Sequence, residues 1–303
     1  MPNYSGSWNL VQQMQAVAAS NWPVPPGTFA IIASGYCSTQ RDKYTYAGCV
    51  VTTAAPLAGG TYEGAAAGNS SVGIFALAST AGGAVIRATR NKYIYANCTN
   101  TTATSATNPT YGQSATGNAT TGIFALGLIC YSPSSTRNKY IYSGCVNTSA
   151  TSASSNSYLG AATGNSTVGI FALGNTGSPS TTRNKYTYSG DTNASTTASS
   201  ANSQGGAATG NATVGIFALG NSTTTRNKYT YSGDTNAVAT ASSANFNLGS
   251  AAGNSTIGIF TLGASCTRNK YTYSGCASTS ATASLCFSTG GSAASNGTCG
   301  VNV

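Results

Sequence analysis

A short segment, RNKY in five copies and RDKY in one, recurs through the chain and constrains its fold more than any other feature. The copies begin at Arg41, Arg90, Arg137, Arg183, Arg226 and Arg268, at intervals of 42 to 49 residues. A second segment, typically GIFALG, begins at Gly27 (as GTFAII), Gly73, Gly122, Gly169, Gly215 and Gly258. Six units of this length indicate a fold built by copying one supersecondary element.

Each unit has the pattern of four strands. GIFAL is apolar and bounded by glycine, KYTYSG alternates in the period of a half-buried strand, and a segment such as ATASS follows. A segment such as GAATGNST precedes GIFAL and ends in a turn. Four antiparallel strands in about 45 residues match one blade of a β-propeller. We therefore predict an all-β chain, a six-bladed β-propeller; units stacked as a β-solenoid are the alternative.

The two ends of the repeat region predict how such a ring would close. The first unit begins at GTFAII without the strand that precedes GIFAL elsewhere, and residues 291–298, GSAASNGT, supply a strand of that type. Pairing the two would remove an exposed sheet edge. The remnant CGVNV at 299–303 resembles the start of a further strand, so a different closure stays open.

These repeats resemble kelch-type propeller units, in a diverged form associated with phage and cyanobacterial proteins. The resemblance covers residues 27–303 and implies four-stranded antiparallel blades. It departs from the usual pattern in having one glycine rather than a pair after the apolar strand. It also lacks a blade tryptophan, because Trp8 and Trp22 both precede the repeats.

The composition excludes most catalytic chemistry. The chain has no histidine, and its four acids are Asp42, Glu63, Asp191 and Asp234. A tuned acid–base pair or a metal site of the usual ligands is hard to build from these residues. We therefore expect a protein that is not an enzyme and that needs no cofactor or metal.

Almost all of the positive charge belongs to the repeats. If the repeats surround an axis, their cations and the tyrosines of KYxY form a ring that could bind anions or sugars. Packing of the cationic side chains on tyrosine within the blades is the alternative. No recognised nucleic-acid motif accompanies the charge. The candidate ring comprises Arg41, Lys43, Arg90, Lys92, Arg137, Lys139, Arg183, Lys185, Arg226, Lys228, Arg268 and Lys270.

The cysteines suggest a set of disulfides. Three pairs bracket RNKY-type strands: Cys37 with Cys49, Cys130 with Cys145, and Cys266 with Cys276. Two units lose both members of the pair together, which favours a bond between them. Cys286 with Cys299 is a fourth candidate pair, and Cys98 is left over. Reduced, buried thiols are the alternative.

An Asn-x-Ser/Thr pattern recurs at the same place in five units. It falls between two strands, where Gly-Asn is typical of a tight turn, so we interpret it as a turn signal rather than as a glycosylation site. The asparagines are Asn69, Asn118, Asn165, Asn211 and Asn254.

Residues 1–26 belong to no repeat and are predicted to form an attachment segment. A short amphipathic helix would precede a proline-rich linker, with Trp8, Leu10, Met14 and Trp22 as docking residues. The stretch SGSWNLVQQMQAVAASNWP resembles a segment of virion structural proteins of tailed phages, especially cyanophages.

The resemblance implies a phage virion protein, a tail fibre or appendage or a capsid decoration protein, with residues 27–303 as its propeller domain. It would bind other virion proteins through residues 1–26 and form a homo-oligomer in the particle. Host surface polysaccharide is a candidate partner, and no apolar run predicts a membrane span. A lectin-like propeller outside a virion, secreted or on a cell surface, is the alternative.

Overall fold

The computed structural model describes residues 28–36, 38–80, 85–125 and 127–296. Over these ranges the chain is all-β, with 29 strands and no helix. The predicted attachment segment and its docking residues Trp8, Leu10, Met14 and Trp22 lie outside the described residues.

Twenty-four strands form six antiparallel four-stranded sheets, numbered I to VI here, with strands numbered in chain order. Sheet I contains β29 (Ser292–Ser295), β1 (Phe29–Ala33), β2 (Arg41–Thr45) and β3 (Val50–Ala54). Sheet II contains β4 (Ala65–Gly68), β5 (Val72–Ala76), β8 (Arg90–Ile94) and β9 (Thr99–Ala103). Sheet III contains β11 (Ser114–Gly117), β12 (Thr121–Ala125), β15 (Arg137–Ile141) and β16 (Val146–Ala150).

The remaining large sheets repeat this order. Sheet IV contains β17 (Ala161–Gly164), β18 (Val168–Ala172), β19 (Arg183–Thr187) and β20 (Thr192–Thr196). Sheet V contains β21 (Ala207–Gly210), β22 (Val214–Ala218), β23 (Arg226–Thr230) and β24 (Thr235–Ala239). Sheet VI contains β25 (Ser250–Gly253), β26 (Ile257–Thr261), β27 (Arg268–Thr272) and β28 (Ala277–Ala281).

Five short strands lie in the loops between the second and third strands or beside them. They form a two-stranded and a three-stranded sheet. Their bounds are β6 (Ser79–Thr80), β7 (Val85–Ile86), β10 (Thr110–Tyr111), β13 (Leu128–Ile129) and β14 (Ser132–Pro133).

The predicted four-strand order of each unit is confirmed, but the fourth strand lies earlier than predicted: β24 covers TNAVA and ends where ATASS begins. The alanine-rich first strand is wholly buried, the GIFA strand is almost wholly buried, and the RNKY strand alternates buried with half-buried positions. The fourth strand is the most exposed, at Thr192, Ala194 and Ser195, and its other two positions are half-buried. Burial therefore falls from the first strand to the fourth, so the core lies at the alanine-rich strands.

Sheet I is completed by the end of the repeat region, as the sequence predicts. Strand β29 pairs with β1 in register Ala30 with Ser295 and Ile31 with Ala294. The alignment of GTFAII with GIFALG is wrong, however. Ile32 pairs with Asp42, as Phe75 pairs with Asn91, so Ile32 and not Phe29 corresponds to the phenylalanine of the other units.

The first strands of the six sheets contact one another in cyclic order. Strand β4 contacts β11, and the series continues through β17, β21, β25 and β29 back to β4. Side chains are small here because the strands converge, and the alanine at the second position of each is fully buried, as at Ala66 and Ala162. Larger side chains would hold the strands apart.

A cycle of backbone hydrogen bonds links the segments that precede these strands. Each N–H donates to the carbonyl of the preceding sheet's segment at 2.6 to 3.0 Å, and the bond from Glu63 to Gly290 completes the cycle. The six residues whose N–H groups donate in this cycle all have positive φ, from 52° to 65°. We call these residues the central ring: Glu63, Gly112, Leu159, Gly205, Leu248 and Gly290.

Glycine in the second strand makes room for the second tyrosine of KYxY. A Cβ on Gly215 would lie 2.9 Å from the Tyr231 hydroxyl and 2.5 Å from Thr163 Cγ2 of the neighbouring sheet. Both distances are below ordinary van der Waals contact. The glycine of GIFAL is therefore a packing requirement at the sheet–sheet boundary.

Candidate functional site

The arginines of the predicted cation ring are buried between sheets. All six have at most 1% of their surface exposed. The Arg183 guanidinium lies 4.5 Å from the Phe217 ring centroid and donates to Asn236 Oδ1 at 2.8 Å and Asn227 Oδ1 at 3.2 Å. All three partners belong to the next sheet, so each arginine joins two neighbours.

The same contact recurs around the molecule with small variations. Arg41, Arg90, Arg137 and Arg226 also stack on a phenylalanine of the following sheet at 4.3 to 4.5 Å. Arg226 donates to Ser278, which stands where sheets II to V have asparagine. Burial lowers the pKa of Arg226 to about 10, which leaves it charged at neutral pH.

The six lysines of the predicted ring are half-buried. In two junctions an acid of the next sheet faces the lysine: Asp234 Oδ2 lies 2.5 Å from Lys185 Nζ, and Asp191 faces Lys139. Burial opposes ionisation of Asp234, yet hydrogen bonds from Lys185 and Tyr229 lower its pKa below the usual range.

The prediction that both cations of each repeat form an accessible anion-binding surface is therefore wrong. The arginines have no solvent-facing surface, and five of them are stacked and hydrogen-bonded within the sheet junctions. The period-2 pattern of RNKY places arginine on the buried side of a strand that packs against the next sheet. This matches the packing alternative.

Two predicted disulfides are also wrong. Cys130, Cys145, Cys266 and Cys276 are all free thiols. The two cysteines of each pair lie beyond opposite ends of a five-residue strand, β15 or β27. Such a strand is roughly 13 to 16 Å long, whereas disulfide-bonded Cα atoms lie within about 7 Å.

The other two predicted pairs each include a residue outside the described ranges, Cys37 or Cys299. They stay predictions. The described members make contacts of their own: Cys286 Sγ lies 2.7 Å from Ser34 Oγ, and Cys49 Sγ lies 3.9 Å from the Tyr46 carbonyl oxygen. The sequence assigned no partner to Cys98, and its Sγ lies 3.7 Å from Lys43 Nζ.

The asparagines of the Asn-x-Ser/Thr pattern form turns, as interpreted from the sequence. Asn165 Oδ1 accepts hydrogen bonds from the backbone N–H groups of Thr167 and Val168. Its Nδ2 donates to the Ala212 carbonyl of the next sheet's turn at 3.2 Å. The side chain thus shapes its own turn and ties it to a neighbour.

Side chains of the central ring surround a small cavity of about 30 Å³. Glycine alternates with a larger residue around the ring, and the Leu248 side chain covers the position that a Cβ on Gly205 would occupy. The three larger side chains are those of Glu63, Leu159 and Leu248. This volume is enough for about one water molecule. It is far below the roughly 300 Å³ at which ordinary ligand pockets begin.

Two polar groups distinguish one side of this cavity. Burial raises the pKa of Glu63 to about 7, and a hydrogen bond with Tyr62 opposes that shift. Gln113 follows Gly112 where the other units have glycine, and it is 6% exposed. Within the described part of the chain, its Oε1 has no hydrogen-bond partner.

The residue just before each member of the central ring is aromatic on one side of the ring and not on the other. We call this border of the ring its mouth. Three successive sheets contribute Tyr62, Tyr111 and Tyr158, and the other three contribute Gln204, Asn247 and Thr289. The pKa of Tyr111 is raised, first by burial and then by electrostatic interaction with Glu63, Tyr131 and Tyr158. These four residues therefore lie close together. We call Tyr62, Tyr111, Tyr131 and Tyr158 the tyrosine cluster.

Exposed aromatic residues extend this face. Tyr131 is 58% exposed and meets Tyr111 edge-on, with centroids 5.9 Å apart. Tyr36 is 66% exposed and meets Phe287 in the same way. Tyr36 also donates its backbone N–H to Thr289, next to the central ring. Exposed aromatic rings beside amides and a carboxyl are typical of surfaces that bind sugars or peptides.

The sequence interpretation missed this face. Its signal is the departure from the repeat, because equivalent positions read Tyr-Glu, Tyr-Gly and Tyr-Leu in three units and Gln-Gly, Asn-Leu and Thr-Gly in the others.

Two other kinds of site are absent from the described residues. No group of three or more Cys, Asp or Glu there could hold a metal ion. None of the chain covered by the structure forms a helix of the length and apolarity that crossing a bilayer requires.

Comparison with known proteins identifies the fold and not a family. No family model matches the chain, and no curated protein matches it. A solved structure described as "Structure of YjhT" is similar, with a TM-score of 0.63 and 10% sequence identity, over 86% of this chain and 98% of that chain. At this identity the similarity bears on the fold alone.

Proposed function

We propose that the six sheets are the blades of a closed β-propeller and that the protein is a non-enzymatic structural component of a phage particle. It would be a tail fibre or appendage protein or a capsid decoration protein. The cyclic contacts of the first strands and the cycle of hydrogen bonds at the central ring support closure. The kelch-like repeats and the virion-like segment within residues 1–26 support the particle assignment.

The structural role is supported by the contacts that the repeated arginines and lysines make between sheets. Each buried arginine connects one sheet to the next. Three of the four acids, Asp42, Asp191 and Asp234, face arginine or lysine in the same junctions. The charges of the repeats thus stabilise the frame, which suits a rigid particle component better than an enzyme.

The tyrosine cluster favours host attachment as the task of this frame. Aromatic rings stack on the apolar faces of sugars, and polar groups beside them select hydroxyls. We therefore place a surface-polysaccharide contact at the mouth of the central ring instead of at the arginine and lysine positions. Several copies in a particle would bind through avidity. A lectin-like propeller outside a virion would use the same face.

Residues 1–26 would attach the propeller to the particle. The test is deletion of residues 1–26 in the phage genome, followed by mass spectrometry of purified particles. We expect the truncated protein to fold and to be missing from the particles. Incorporation at the normal level would contradict the attachment role, and absence of the full-length protein from particles would contradict the virion assignment.

The binding face has its own test. Binding of the protein to immobilised cell-surface polysaccharide from the host should fall at least tenfold when Tyr131→Ala and Tyr36→Ala are combined. Val238→Ala, at a position 72% exposed on the outer strand of sheet V, is the matched control. Equal loss in both variants, or no loss in either, would contradict the proposed face.

A further inference from the structure

Cysteine and aspartate occupy one equivalent position in the six units. The residue lies four positions after the RNKY-type strand and has φ between 47° and 56° in every unit. Its side chain faces the tyrosine hydroxyl of its own strand, as in Tyr229 with Asp234 and Tyr140 with Cys145. The residues are Cys49, Cys98, Cys145, Asp191, Asp234 and Cys276.

A lysine of the preceding sheet reaches the same position. Where it is aspartate, the contact is the ion pair from Lys185 to Asp234. Where it is cysteine, lysine Nζ lies close to Sγ: 3.7 Å from Lys43 to Cys98, 3.4 Å from Lys92 to Cys145, and 3.7 Å from Lys228 to Cys276. We call these three the lysine–cysteine pairs.

We propose that each lysine–cysteine pair is the site of an oxidative cross-link in which one oxygen atom bridges lysine Nζ and cysteine Sγ. The three bridges would join sheet I to II, II to III, and V to VI. The junction of sheets IV and V would keep its ion pair from Lys185 to Asp234, and at the junction of sheets III and IV Asp191 would stay near Lys139. This inference is independent of the proposed function.

The reaction balances with dioxygen as the oxidant. One lysine amine, one cysteine thiol and one dioxygen give the N–O–S bridge and one water. An N–H and the S–H bond break, and an N–O and an O–S bond form. Nitrogen and sulfur each lose two electrons, and the two oxygen atoms of dioxygen gain the four.

The site suits this chemistry in three respects. The three cysteines are half-buried, so a small oxidant reaches the sulfur while the pair stays fixed. Each Sγ also lies 3.8 to 4.0 Å from the carbonyl oxygen three residues earlier, which holds it beside the lysine. Moreover, no second cysteine is paired with these thiols among the described residues, so a disulfide does not compete.

The test is peptide mapping of the full-length protein, purified under argon or exposed to air, without a reducing agent. After exposure to air, we expect cross-linked peptides joining Lys43 to Cys98, Lys92 to Cys145 and Lys228 to Cys276. Each should contain one added oxygen and two fewer hydrogens than its separate peptides. Dithiothreitol should release the separate peptides, and Cys145→Ser should remove one cross-link and keep the other two.

The aspartate junctions provide a gain-of-function arm. An Asp234→Cys variant should form a fourth cross-link, to Lys185, whereas Asp234→Ser should not. Free amines and thiols at all three pairs after exposure to air would overturn the proposal. Cysteines oxidised without lysine attached would overturn it as well, and so would a lysine–cysteine peptide lacking the added oxygen.

Discussion

The Arg268 guanidinium lies 2.6 Å from the Asp42 carboxylate, and this buried ion pair joins the last sheet to the first. The other junctions use asparagine at the position of Asp42 and phenylalanine beneath the guanidinium. At the closing junction Ile32 takes the phenylalanine position, so the stacked ring is missing there. The RDKY variant of the repeat thus marks the seam between sheets VI and I, where a carboxylate replaces the lost contact.

The closing ion pair predicts a large effect of removing its acid. Asp42→Ala leaves Arg268 buried and unpaired, and we expect it to lower the free energy of unfolding by about 3 to 5 kcal/mol. Asp42→Asn, which restores the residue of the other repeats, should cost less than half of that. Urea denaturation measures both, and equal effects would show that the charge at the seam is unimportant.

The buried arginines should contribute more to stability than the lysines two positions later. Arg183→Ala removes a stacked side chain and leaves Asn236 Oδ1 without its donor, whereas Asn227 Oδ1 keeps the Ser200 N–H. We therefore expect a loss of about 3 kcal/mol or more. Lys185→Gln removes a partly exposed ion pair and should cost at most about 1 kcal/mol. The reverse order in urea denaturation would contradict the packing described for the RNKY strand.

Each turn asparagine should stabilise the protein in two ways, by shaping the turn of its own sheet and by bonding to the turn of the next sheet. Asn165→Ala removes both sets of hydrogen bonds and should cost about 1 to 2 kcal/mol. Asn165→Asp keeps the acceptor for the turn and loses only the donor to Ala212, so its cost should be smaller. If the two variants are equally unstable in thermal denaturation, the contact between the turns dominates.

Glu63 should make stability depend on pH. Its pKa in the folded protein is about 7, above the ordinary 4.5. The folded state therefore holds the proton more tightly, and the stability gained at low pH is lost as pH rises from about 4.5 to about 7. The urea midpoint should fall across this window in the native protein, and this part of the slope should vanish in Glu63→Gln. A midpoint that rises over the window only when Glu63 is present would contradict the direction.

Much of the fold could be predicted because the chain repeats itself. The spacing of RNKY and the glycine-bounded GIFAL segments defines four strands in each unit, and the lone GSAAS segment predicts the strand that completes sheet I. The register of GTFAII could not be predicted, because glycine and phenylalanine recur there three residues out of step. Pairing of Ile32 with Asp42 resolves it.

The candidate site was less accessible to sequence reasoning. Repetition drew attention to arginine, lysine and cysteine, whose roles depend on which side of a strand meets the next sheet. Period-2 alternation does not tell whether the face that carries Arg183 is covered by another sheet. The tyrosine cluster, by contrast, arises where the units differ, since Tyr62, Tyr111 and Tyr158 have no aromatic counterpart in the other three units.

The pairing of β29 with β1 also determines when the protein can finish folding. During synthesis, sheets II to VI have all four strands soon after each emerges, because their strands are close in sequence. Strand β1 emerges first and waits for β29, more than 250 residues later, before its inner edge is covered. Its apolar edge is exposed to other nascent chains during that interval. Pairing of β29 with β1 is therefore the slow, long-range step, and misassembly between chains is the failure that a delay at this step would cause.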